Sequence, residues 1–163
     1  MIKVKLEPID VELALNTASK RFIGNLKMGK GFSYGYKGDY RKQIADSFLG
    51  ALAETCYAKA FNKYYNGSYS DNLERYTDSD FQNNIEIRAQ EKKDFNFLLI
   101  RPGEKKGKYI LVIHEGDFEF SILGWFPYTS DESMQHRLTN FGYAQRPPVY
   151  KVDIKELYNM NDL

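Results

Sequence analysis

The apolar residues of this 163-residue chain change their period part-way along, and that change fixes the order of its elements. Pro8 and Asp10 offer a helix start, and Val11, Leu13, Ala14, Leu15, Ala18, Phe22, Ile23 and Leu26 follow at helical spacing, so a first helix is expected over about 10–26. Ile44, Phe48, Ala51, Leu52, Thr55 and Ala58 set a second over about 40–64, ended by Asn66-Gly67. From Ile85 onward the period is two. Residues 85–89, 95–101, 108–114 and 118–126 read as strands, Lys3–Leu6 as a short opening strand and 148–152 as a closing one. Pro102–Gly107 and Glu115–Asp117 have the composition of hairpin turns, 129–146 reads as an excursion, and Asp153 is placed to cap a helical turn through Leu157. The expectation is one α+β domain over 1–163, two N-terminal helices followed by a mainly antiparallel or mixed sheet, with no internal repeat.

Composition narrows the function classes. The single cysteine, Cys56, excludes an internal disulfide, and two histidines leave little for a zinc site. His114 and His136 have no metal-spaced partner, and Cys56 falls among small residues as a core thiol. No apolar run reaches the length of a membrane span, and the start lacks a signal peptide's apolar core, so a cytoplasmic protein with no membrane partner is expected. There is no Walker loop, dinucleotide fingerprint or nucleophile elbow.

The net charge of +1 is unevenly spread. Residues 1–45 carry nine Lys and Arg against four Asp and Glu, so the remainder is acidic. Within 17–42, Lys20, Arg21, Lys27, Lys30, Lys37, Arg41 and Lys42 face only Asp39. A basic segment beside an acidic body suits a chain that holds a polyanion on one face and a metal on another, and Lys27, Lys30, Lys37, Arg41 and Lys42 are the candidate nucleic-acid contacts. The loop at 28–39 interleaves Phe32, Tyr34 and Tyr36 with glycine and lysine, which suits closure over a nucleic-acid strand or packing of a loop on the body.

The candidate chemistry lies in Glu54 and in Ser79–Arg88. Glu54 shares a helix face with Ala51 and Ala58, short neighbours that leave its carboxylate open to whatever the helix packs against. Such a group needs a metal or a cationic partner on a neighbouring element. Period two puts Glu86 and Arg88 on one face and Ile85 and Ile87 on the other. Asp80, Glu86 and Glu54, with the Ile87 carbonyl, make an all-oxygen set for Mg²⁺ or Mn²⁺, and Arg88 a phosphate partner; a Glu–Arg ladder on a half-solvated strand is the plainer alternative. Asp78 rivals Asp80, and Lys92 or Lys93 beside Asp94 offers a second cation.

The chain resembles a family of small uncharacterised phage proteins through Asn25-Leu-Lys-Met-Gly29, Tyr34-Gly35, Leu49-Gly-Ala-Leu-Ala-Glu54, Ile85-Glu-Ile-Arg88, Gly124-Trp125 and Arg146-Pro147-Pro148. That family's pattern is similar to a shrunken PD-(D/E)XK nuclease, with a helical Glu, an Asp, then acidic-x-basic on a strand. The resemblance implies a restriction-endonuclease-like fold and a Mg²⁺-dependent nuclease acting on DNA, with catalytic roles on Glu54, Asp80, Glu86 and Arg88. Ser79 stands where the pattern has proline, and Arg88 where it has lysine. Arginine is a poor base, so the same resemblance leaves a second expectation, an inactive phage accessory protein binding a host protein or DNA.

Overall fold

The computed structural model describes residues 1–27, 39–63, 65, 80–92, 97–142 and 147–163. Lys30, Lys37, Asp78, Lys93, Asp94 and the aromatic loop residues lie outside that set.

Strand β1 (Ile2–Lys5) leads into helix α1 (Pro8–Lys27), and helix α2 (Tyr40–Ala60) follows. Asp39 caps α2 through its side chain, which accepts from Lys42 N at 3.0 Å. The helices meet through small residues. Ala14, Thr17 and Ala18 of α1 and Ala51, Ala53 and Ala58 of α2 are all buried, so the two backbones approach closely. Both helices begin near the expected positions, and α2 closes at Ala60, short of Tyr64.

Strands β2 (Ile85–Glu91), β3 (Phe97–Ile100), β4 (Gly107–Gly116), β5 (Glu119–Tyr128), β6 (Leu138–Thr139) and β7 (Val149–Asp153) form two sheets. Sheet A runs β1-β5-β4-β2, and sheet B runs β3-β7-β6. A short helix α3 (Asp131–Met134) and a 3₁₀ turn fill much of the expected excursion. Asp153 caps the 3₁₀ turn Ile154–Glu156 in a reciprocal capping box, as its position predicts.

The α+β class therefore holds, but one connection differs from the expectation. Glu115–Asp117 joins β4 to β5 as a hairpin, whereas Pro102–Gly107 does not join paired strands. β3 belongs to sheet B, and β4 pairs in parallel with β2. The reason lies in β4 itself. Tyr109 to Val112 are completely buried and Ile113 nearly so, and a strand apolar on both faces needs cover on both. Ile110 and Val112 pack with Ile85, Ile87, Phe120, Ile122 and the two helices. Tyr109, Leu111 and Ile113 pack the other way, against Leu98, Ile100, Tyr150 and Val152 of sheet B. The layers are helices, sheet A and sheet B. No helix among the described residues is long and apolar enough to cross a membrane.

The parallel pairing starts at a tight approach. Lys108 N donates to Asn84 O at 2.8 Å, and a Cβ on Gly107 would overlap that same carbonyl oxygen. Backbone cannot yield as a flexible side chain can. Gly107→Ala is expected to destabilise the fold by about 1–3 kcal/mol, read as a lowered urea midpoint with an unchanged slope. A variant as stable as wild type would show that β2 and β4 do not approach this closely.

Candidate functional site

The turn before β2 shapes the site. Asn83 and Asn84 both adopt left-handed backbone, at φ 66° and 57°, conformations that asparagine tolerates better than most residues. They fold Asp80-Phe81 back so that Phe81 bridges Ile85 and Asp80 lies beside Ile87. Among the described residues, strand β2 ends sheet A and pairs with β4 alone. The backbone groups of Ile87 are taken by side chains: Asp80 Oδ2 accepts from Ile87 N at 2.7 Å, and Arg88 Nη1 donates to Ile87 O at 3.1 Å. The carbonyl expected to serve a metal is thus held by Arg88.

Glu54 is 6% exposed, and both its oxygens are engaged. Arg21 of α1 approaches it as a fork, Nη1 to Oε1 and Nη2 to Oε2, each at 2.7 Å. Tyr65 adds a hydroxyl donor to Oε2 at 2.8 Å. The cation on a neighbouring element is therefore Arg21, which the sequence grouped with the basic segment. Burial works against its charge, but the Glu54 carboxylate outweighs it and holds the guanidinium above its ordinary value. Burial, then the charge of Glu54, pushes the Tyr65 phenol up. The carboxylate thereby favours the charged guanidinium and the protonated phenol, the forms that donate these bonds.

Glu86 and Arg88 point to the opposite face of sheet A, as period two requires. Arg88 stacks over the Tyr109 ring, 4.9 Å from its centroid, and donates Nη2 to Glu104 Oε2 at 2.6 Å. Glu86 lies 3.5 Å from Arg88 Nη1. Glu104, in the β3–β4 connection, was not a sequence candidate, and its Oε1 also faces Arg101 Nε at 3.8 Å. The Glu–Arg ladder is present, extended by one further acid.

Asp80 stands at the edge between the two faces. Burial first, then the nearby charges of Glu54 and Glu86, pushes its carboxyl up to about 7, while the Ile87 amide and Arg88 act against that rise. The four residues expected to carry the chemistry thus share one electrostatic neighbourhood, although positions 54 to 88 separate them in the chain. They do not form one donor set. Glu54 lies on the helix side with both oxygens on Arg21, while Glu86 lies on the other side against Arg88. Among the described residues, no three His, Cys, Asp or Glu side chains are grouped to hold a metal ion. As arranged, these side chains do not fit a resident Mg²⁺ or Mn²⁺, because guanidinium groups already occupy the positions of positive charge.

Of the candidate nucleic-acid contacts, Lys27 ends α1 while Arg41 and Lys42 open α2, all exposed at the end where the helices are joined. Lys92 reaches Glu115 at 2.6 Å rather than the site. His114 lies 3.5 Å from Glu91 and beside the Phe120 ring. His136 is exposed in the 3₁₀ turn, and burial pushes the Cys56 thiol up to about 12, away from nucleophilic use. The signal for Arg21 lay in α1 itself, where it continues a stripe of small residues, Ala14, Thr17 and Ala18, toward a helix whose own small stripe carries Glu54. Comparison with known protein families, curated proteins and solved structures finds no match to the chain.

Two outcomes test this geometry. Arg21→Ala leaves Glu54 buried without its cation and is expected to cost about 3–5 kcal/mol, whereas Arg21→Met with Glu54→Leu is expected to recover most of that loss. Denaturation of both variants and wild type measures it. The second concerns pH. An Asp80 pushed up to about 7 holds its proton in the fold while the unfolded chain has already released it, so stability falls as pH rises from about 4 to 7. Asp80→Asn keeps an acceptor for Ile87 N and should flatten that slope; equal slopes in the two proteins would remove the buried carboxyl as its cause.

Proposed function

We propose that this chain is a DNA-binding accessory protein, acting in the host cytoplasm like the phage proteins whose landmarks it resembles, and that its carboxylate–guanidinium centre is a scaffold rather than a hydrolytic site. The observation that carries this reading is how the cations divide. Arg21 and Arg88 are drawn inward onto Glu54, Glu86 and Glu104. Lys27, Arg41 and Lys42 stay exposed at the junction of α1 and α2. With Arg21 and Arg88 paired inside, these three cations outnumber the exposed acids beside them, Asp39 and Asp46, and favour a polyanion at that end of a nearly neutral protein. Phosphates of a strand are the natural counterpart, and each neutralised phosphate contributes affinity that salt removes.

Fluorescence anisotropy with labelled single- and double-stranded DNA tests it. Lys27→Gln with Arg41→Gln is expected to weaken binding about tenfold at low salt and to lessen the slope of log affinity against log salt by about 2. Capture of a stoichiometric host protein, with no DNA bound by wild type, would put that protein in place of DNA.

The second reading is Mg²⁺- or Mn²⁺-dependent hydrolysis of DNA. Its support is the gathering of Glu54, Asp80, Glu86 and Arg88, with like charges pressing on Asp80. It requires Glu54 to leave Arg21. Calorimetric titration of either metal into wild type and into Asp80→Ala/Glu86→Ala decides it: heat lost in the double variant sustains this reading, and no heat in wild type removes it.

A further inference from the structure

A cleft of about 480 Å³ opens between the first turns of α2 and the outer side of sheet B, within the size range of small-molecule sites. Its walls are apolar, with Leu99, Phe141 and Pro148 among them, and its polar groups are few: Lys42, Asp46, Arg101 and Asn140. Leu99 belongs to the opposite face of β3 from the core residues Leu98 and Ile100, so the cleft is separate from the packed interior. Nothing in the candidate site uses it.

Three observations bear on what it holds. Phe141 has positive φ, 55°, a strained conformation for a large side chain, and the ring is 37% exposed. The strained turn is held by Thr139 Oγ1 and Asn140 Oδ1, which accept from the amides of Phe141 and Gly142. The ring itself is backed by Phe97, stacked at 5.3 Å between centroids. A rigid aromatic face on the cleft wall suits a flat ring. Second, the cleft carries two cations, Lys42 and Arg101, as a phosphate needs, together with one acceptor, Asp46, and one amide, Asn140. A fatty acid or simple aromatic acid would leave Asp46 and Asn140 unused, whereas a base has N–H and carbonyl groups for both. Third, Arg101 faces Glu104 Oε1, while Oε2 of the same carboxylate binds Arg88. One side chain therefore joins the cleft to the carboxylate centre.

We infer that this cleft binds one nucleotide unit of a nucleic-acid strand, with the base against Phe141 and the phosphate between Lys42 and Arg101. The inference rests on the DNA-binding reading for its source of nucleotides, and deepens it by naming a pocket for a single unit. Base donors meet Asp46, and the phosphate sits one carboxylate away from Arg88.

The test is amide chemical-shift mapping of the full chain in EDTA, which keeps any divalent cation out of the result. The ligands are deoxynucleoside monophosphates, a short single strand and, as a control, p-toluate. The expected result is saturable shifts at Asn140, Phe141 and Gly142, with affinity reduced at least tenfold by Arg101→Gln and by Phe141→Leu, and retained by Arg101→Lys and Phe141→Tyr. Shifts with the short strand alone would assign the cleft to strand-borne nucleotide; shifts with monophosphates as well would add free nucleotide as a source. No shift in wild type at millimolar ligand would overturn the inference, as would equal binding of p-toluate or undiminished binding by Arg101→Gln. Lys27→Gln/Arg41→Gln keeps the two claims apart. Loss of DNA affinity there, with wild type giving no cleft shifts, leaves the DNA-binding reading standing alone. Cleft shifts with monophosphates, with DNA affinity indifferent to those two cations, leaves the pocket standing without it.

Discussion

The forked contact between Arg21 and Glu54 is the constraint on which the rest of the structure turns. It joins α1 to α2 beside small buried residues, with a second ion pair between the helices, Lys59 Nζ to Asp10 Oδ2 at 2.6 Å, and it fixes their register by geometry that Ala14, Ala18 and Ala51 alone would leave loose. Two planar groups meeting through two parallel bonds admit little sliding or rotation. Desolvating both charges is costly, so the pair contributes more to specifying the arrangement than to net stability. Tyr65 completes the donor set on Glu54 and rests its ring near Phe81, beside the turn that delivers Asp80. The helix pair and the start of β2 are thereby tied to one carboxylate.

The edge position of β2 explains why the acids do not merge into a single site. A strand sends alternate side chains to opposite faces, so Glu86 cannot join Glu54 while Ile85 and Ile87 pack under the helices. Asp80 reaches the line between them, where its carboxylate accepts from the Ile87 amide. Arg88 takes the neighbouring carbonyl.

How much of this was legible in the sequence follows from the range of each interaction. Helices and strands appeared because their signals are local: apolar residues at 3.6 or at two, and the Asp153 cap. The continuous run Tyr109-Ile-Leu-Val-Ile113 carried the sign of a strand buried on both faces, yet its neighbour in space was not written there. Parallel pairing with β2 and the passage of β3 into a second sheet depend on contacts made across the whole chain. Glu54, Asp80, Glu86 and Arg88 were legible as a group because carboxylates in apolar surroundings are conspicuous. Arg21 was not, since a basic residue on a helix reads as solvated until the facing helix is known. Glu104 was hidden in a turn rich in lysine and glycine. The cleft draws on α2, β3 and the segments on either side of 143–146, and no local pattern joins those pieces.

The division of the cations between interior and surface bears on the proposed function. Arg21 and Arg88 are planar, permanently charged and able to stack or fork, so they are the cations that can be drawn inside against acids. Lys27, Arg41 and Lys42 are exposed at the surface, with Lys42 near the charge of Asp46. A net charge of +1 therefore understates what an approaching polyanion meets. Glu54 is paired with Arg21, and Glu86 and Glu104 with Arg88, so their charges are offset locally. Under the proposal, this internal pairing of Arg21 and Arg88 leaves the exposed cations to meet the polyanion. On the proposed reading, binding a strand without hydrolysing it follows from that one distribution of charge.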